Sequence, residues 1–129
     1  MPQTFALTRY GKLLLCNALV AGPQGVHEVI LLLDTGSNYT VVAVEALEKI
    51  GCSPIASQDR VRIMTGNGPL IAPRVRTRAI TVFQREMAGA EVIAHDLPFS
   101  GPIDGLLGMD VLVALQARID TAVATIEIA

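Results

Sequence analysis

The chain has 129 residues, 51% of them hydrophobic and only 4% aromatic, with a formal net charge of -2. That length suits one domain, residues 1–129, which can bury roughly two-thirds of its unfolded surface without a disulfide or a metal. The near-neutral charge argues against a nucleic-acid binder or a basic membrane-surface protein, and no run approaches the roughly 18 apolar residues of a membrane span.

Gly and Pro punctuate the chain every ten or so residues, the mark of an all-β meander or barrel. Thr4 to Arg9 and Lys12 to Val20 read as strands around a Tyr10-Gly11 turn, and Ala21 to Gly25 as a loop. Val29 to Leu33 is a continuous apolar run, expected to be a strand buried on both faces. It ends abruptly at Asp34-Thr35-Gly36-Ser37. Val44 to Ile50 reads as a short helix closed by Gly51. Asp59 to Thr65 and Leu70 to Arg76 read as the arms of a hairpin around Gly66-Asn67-Gly68. Ala79 to Gln84 and Glu91 to Ala94 are further strands, separated by Ala88-Gly89. A segment from Asp104 to Asp110 joins a strand to a second helix at Val111 to Gln116. Ala122 to Ile128 is the final strand.

The chemistry concentrates at Leu31-Leu32-Leu33-Asp34-Thr35-Gly36-Ser37. A catalytic carboxylate must be held rigidly at the floor of a cleft, and a core strand ending in Asp34 provides that. Thr35 is expected to satisfy buried polar groups around the turn. Gly36 lets the backbone pass close to the carboxylate, and the Ser37 hydroxyl is expected to hold an oxygen of Asp34. About seventy residues later comes Gly105-Leu106-Leu107-Gly108-Met109-Asp110.

The two motifs, with the Gly66 hairpin between them, make the chain similar to the retropepsin-like aspartic peptidases, which include retroviral proteases and small bacterial relatives. The resemblance runs from about Thr4 to Ile128. It implies a closed-barrel-like acid-protease fold with one or two short helices and a β-hairpin flap. Asp34 then resembles the catalytic aspartate, supported in its turn by Thr35, Gly36 and Ser37. Thr65, Gly66, Asn67 and Gly68 resemble a flap over the substrate. Leu106, Leu107 and Gly108 resemble the strand behind the catalytic loop. Retroviral members often carry an ion pair whose places are taken here by Asn38 and Met109, which cannot form one.

Hydrolysis of this type needs two facing carboxylates that share a proton and activate a water. The chain has one Asp-Thr-Gly, and Asp120-Thr121-Ala122 reads as a turn before the last strand. The resemblance therefore implies an aspartic endopeptidase active as a homodimer, with two Asp34 carboxylates meeting at a two-fold axis and a peptide or protein as substrate. In the family, terminal strands often help build the dimer sheet, so Thr125 to Ile128 and the N-terminal strand are candidates for it. An alternative is a catalytically inactive retropepsin-like dimerisation or peptide-binding module. A third is an unrelated small β-barrel.

No cofactor is implied. His27 and His95 are isolated, and no spacing supports a metal site. Ser37 and Ser100 lack a nucleophile-elbow context. Arg74, Arg76 and Arg78 alternate as one strand face, solvated or turned to an acidic substrate or partner. Cys16 and Cys52 read as reduced thiols. Met1 to Tyr10 lacks the basic-then-apolar order of a signal peptide, so the expected location is cytoplasmic.

Overall fold

A computed structural model describes residues 1–65, 68–98 and 101–129. Its elements are β1 (Gln3–Ala6), β2 (Thr8–Tyr10), β3 (Leu13–Gly22), β4 (Gly25–Leu33), β5 (Val41–Val42), α1 (Val44–Lys49), β6 (Arg60–Thr65), β7 (Gly68–Arg76), β8 (Ala79–Val82), β9 (Arg85–Ala88), β10 (Glu91–Ala94), β11 (Gly105–Leu107), α2 (Met109–Ala114), β12 (Arg118–Asp120) and β13 (Thr125–Ile128), with a 3-10 turn at Pro54–Ala56. The expected all-β class with two short helices is what the chain adopts.

One sheet curls through β6-β7-β10-β5-β11-β4-β3-β8-β9, with β2 added to β3. β4 runs antiparallel to β3 and parallel to β11, so strands cover both of its edges. Val29 and Leu31, on one face of β4, are fully buried, while on the other face Leu32 is buried and Ile30 half-buried, so the expected burial on both faces holds in part. β3 shows the alternation of a strand with one wet face: Cys16, Ala18 and Val20 point inward, Asn17 and Leu19 outward.

Both helices end in the same hydrogen-bond pattern. After α1, Gly51 N–H donates to Glu48 O (3.1 Å) and Cys52 N–H to Leu47 O (2.9 Å). Gly51 has φ +81°, so the sequence reading of its role holds. After α2, Gln116 N–H donates to Val113 O and Ala117 N–H to Leu112 O, both at 3.0 Å. Here the left-handed position is filled by Gln116 at φ +51°, which is why the apolar pattern over-ran the helix end. The helix also begins at Met109, directly after Gly108, two residues before its expected start.

Several boundaries differ from the sequence reading. The expected loop over 21–25 shrinks to a Pro23-Gln24 turn, because Gly22 and Gly25 already pair. A Cβ on Gly22 would lie 2.3 Å from Ile50 O, so the strand passes α1 only without a side chain there. The first strand breaks at buried Leu7, whose N–H donates to Ala124 O (2.8 Å). β1 on one side of the break pairs with β13, and β2 on the other with β3.

Ala79 to Gln84 is a strand plus the turn of a hairpin. Phe83 and Gln84 both have positive φ, +49° and +60°, and β9 returns along β8. Asn-Gly is the usual signal for such a turn, and it is absent. The last strand starts at Thr125, after Ala124 at φ +56°. Asp120 closes the preceding turn, its Oδ1 accepting from Ala122 N–H at 2.9 Å, as its turn assignment predicts.

The terminal strands form a separate sheet in the order β1-β13-β12. Both edges of β13 are therefore paired within the chain. Within the chain Thr125 to Ile128 is covered by β1 and β12, and the edges of this sheet belong to those two strands.

Candidate active site

Asp34 follows the last residue of β4 and is half-buried. Its N–H donates to Leu107 O (3.0 Å), so the turn is tied to β11 from its first residue. Ser37 N–H donates to Asp34 O (3.3 Å), and Gly36 N–H donates to the carboxylate Oδ1 (2.9 Å). One carboxylate oxygen is thereby fixed. Asp34 Oδ2 accepts no hydrogen bond among the described residues. A Cβ on Gly36 would approach Asp34 Oδ1 to 3.2 Å, so glycine keeps this turn close to the carboxylate.

The supporting roles differ from the sequence reading at two positions. The Ser37 hydroxyl donates to Tyr39 O (2.7 Å) and stiffens the loop rather than holding an oxygen of Asp34. Thr35 is exposed and satisfies no buried polar group among the described residues. It borders an apolar cavity of about 360 Å³ with Met109, Leu112, Val113, Gln116, Ala117 and Ile119.

Leu106 and Leu107 lie beside β4, the strand that leads into the Asp34 turn, with Gly108 following. Leu106 and Leu107 pair with Leu32 and Leu33 of β4, and Leu107 is fully buried. Close backbone packing there depends on glycines. A Cβ on Gly105 would lie 1.9 Å from Val41 O, and one on Gly108 2.4 Å from Tyr39 O.

Thr40 and Asp110 were missed by sequence reasoning. Thr40 is only 1% exposed. Its hydroxyl donates to Asp110 Oδ1 (2.8 Å) and accepts from Gly108 N–H (3.1 Å), while its own N–H donates to Asp110 Oδ2 (3.0 Å). Asp110 Oδ1 also accepts from Val111 N–H (2.8 Å) in the first turn of α2. Met109 N–H to Ser37 O (2.8 Å) and Asp110 N–H to Asn38 O (3.2 Å) complete the join. This lock ties the loop that carries Asp34 to α2 where Asn38 and Met109 cannot form an ion pair. The signal was an acidic residue in the first turn of a helix, where carboxylates are favoured.

The flap assignment falls partly on described residues. β6 and β7 form the hairpin, with Thr65 paired to Gly68 at its outer end. Gly66 and Asn67 lie outside the described residues. Arg62, Ile63 and Met64 of β6 face Gly36, Ser37, Asn38 and Tyr39 across a cleft of about 270 Å³.

A family model described as aspartyl protease matches residues 18–111. The chain belongs to the aspartyl protease family. The matched span runs from β3 through the Asp34 turn and the β6–β7 hairpin to Asp110 at the start of α2. No curated protein matches the chain. Among solved structures, the retropepsin-like aspartic protease from Rickettsia conorii is similar at a TM-score of 0.74 and 18% identity, covering 99% of this chain and 91% of that one. The EIAV protease, in an inhibitor complex, is similar at a TM-score of 0.61 and 18% identity, covering 88% of this chain and 99% of that one. This aspartyl protease family member thus has the retropepsin-like fold.

Charge around the site is uneven. Arg74 donates to Asp59 (2.8 Å) and lies 3.9 Å from Glu91. The hydrogen bond to Asp59 and then its charge hold the Arg74 guanidinium more firmly protonated. Arg76 ends β7 and Arg78 lies beyond it, so the three arginines are not one strand face. Among the described residues no group of three His, Cys, Asp or Glu side chains converges to hold a metal.

Proposed function

We propose that the protein is an aspartic endopeptidase that works as a homodimer. Two copies meet so that their Asp34 carboxylates face each other across a two-fold axis with a water between them. Like charges that close cannot both ionise readily, so the pair shares one proton. The ionised carboxylate takes a proton from the water as it attacks the scissile carbonyl. The protonated one donates a hydrogen bond to the carbonyl oxygen, and a proton then passes to the leaving amine.

The observation that carries this reading is the state of Asp34. It stands at the end of a buried strand, fixed through Oδ1 by Gly36 N–H, in a chain with a single Asp-Thr-Gly. The apolar cavity at Thr35, with Val113 64% exposed beside it, supports a second copy seated next to the catalytic turn. Free, buried Cys16 and Cys52 support the cytoplasmic setting that goes with the proposal.

The test is digestion of a peptide library from pH 4 to 8 by the wild type and Asp34→Asn. Wild-type cleavage should fall by about 10³-fold or more in the variant. A statine-type inhibitor should block the wild type, and sedimentation should find the variant still dimeric. Equal cleavage by the two proteins would end the proposal.

A further inference from the structure

Residues 60 to 85 hold six of the chain's ten basic side chains, Arg60, Arg62, Arg74, Arg76, Arg78 and Arg85, and none of its twelve acidic ones. Arg74 is neutralised by Asp59 and Glu91. Arg62 is different. Among the described residues it is the one charged side chain lining the cleft between the flap arm and the catalytic loop. It is exposed, and it makes no ion pair or side-chain hydrogen bond among the described residues.

The rest of that cleft is short of groups that would receive a cation. The Ser37 hydroxyl is spent on Tyr39 O, while Ser37 O and Asn38 O accept from Met109 and Asp110 N–H. The backbone N–H groups of Asn38 and Tyr39 make no hydrogen bond among the described residues. Ile63 and Met64 supply an apolar wall. A cleft with one unneutralised guanidinium, spare amide donors and an apolar side fits an extended side chain ending in a carboxylate.

We infer that Arg62 is a specificity-determining residue that selects peptide substrates with an acidic side chain, Glu above Asp, in the pocket formed by 36–39 and 62–64. This deepens the peptidase reading and rests on it.

The experiment uses peptide pairs that differ only by Glu or Gln at each position flanking the scissile bond. Two readouts separate the claims. Cleavage by the wild-type protein tests the peptidase reading. Anisotropy binding of the same peptides to Asp34→Asn tests the pocket without chemistry. At one position Glu should be favoured by about three- to tenfold in kcat/KM and in affinity, with the preference shrinking in high salt. Arg62→Gln should bring the ratio close to one, and Arg62→Glu should reverse it toward Lys. Lys49→Gln, on an exposed face of α1, should keep the wild-type ratio. No acidic preference at any position, or one that survives Arg62→Gln, overturns the inference. Peptides bound with the preference but never cut would overturn the peptidase reading alone.

Discussion

At Thr40 one buried hydroxyl serves two partners, accepting from the buried Gly108 N–H and donating to Asp110, whose carboxylate reaches the surface. Thr40→Val keeps the shape and leaves the buried Gly108 N–H without a partner, while exposed Asp110 keeps its bond from Val111 N–H. Such a buried group costs about 1–3 kcal/mol, and a loss in that range is expected. Thermal melts should show it, and Thr40→Ser should recover most of the loss. Peptidase activity should fall with stability, because the lock holds the loop that carries Asp34.

A second residue-scale effect concerns Cys16. Burial raises its thiol from the ordinary 9.0 to about 12. The folded chain keeps this proton where the unfolded chain releases it. The stability associated with the protonated thiol is therefore complete below pH 9 and is lost as pH climbs from 9 toward 12. Urea unfolding of the wild type and Cys16→Ala at pH 8 and pH 10.5 should separate the two. The wild type should lose up to about 1.4 kcal/mol more per pH unit above 9 than the variant. Equal pH slopes would contradict a buried neutral thiol.

Among the elements, the β8–β9 hairpin has the least favourable local chemistry. Phe83 is buried and packs on Phe5 with ring centroids 5.5 Å apart, so its positive φ is offset by aromatic contact. Gln84 is exposed and has no such contact to offset its φ of +60°. Gln84→Gly should relieve about 1 kcal/mol of left-handed strain, against a smaller entropic cost. A rise of a few degrees in Tm is the expected reading. Elsewhere the elements follow local rules: Gly51 closes α1, and Asp96 Oδ1 accepts from Val44 N–H (3.0 Å) at its start. The hairpin escaped sequence reading because its turn residues are chosen by a tertiary aromatic contact, not by turn propensity.

For the whole molecule, the terminal sheet has consequences for assembly. With β13 paired on both edges within its own chain, a partner copy cannot add to that strand. The proposed dimer seam lies instead along Thr35, α2 and Ile119. Val113→Asp places a charge in that apolar surface and should shift sedimentation from dimer to monomer. Activity should drop and become steeply dependent on protein concentration, while the fold, read by circular dichroism, stays unchanged. A variant that remains a fully active dimer would move the seam elsewhere.

What the amino-acid order determined alone was whatever is local in physical origin. Five apolar residues in a row dictate a buried strand, and Asp-Thr-Gly dictates that the chain turns as the carboxylate leaves it. Leu106-Leu107-Gly108 was legible only through the resemblance to the retropepsin-like peptidases, and the structure adds why glycine follows that strand: backbone packing this close leaves no room for a Cβ. Tertiary structure decided what depends on partners distant in the chain. Thr40 finds Asp110 seventy residues away, and β1 closes on β13 across nearly the whole chain. Which of several arginines faces the cleft belongs with these. A strand pattern states which residues share a face, and only the folded sheet states what lies opposite.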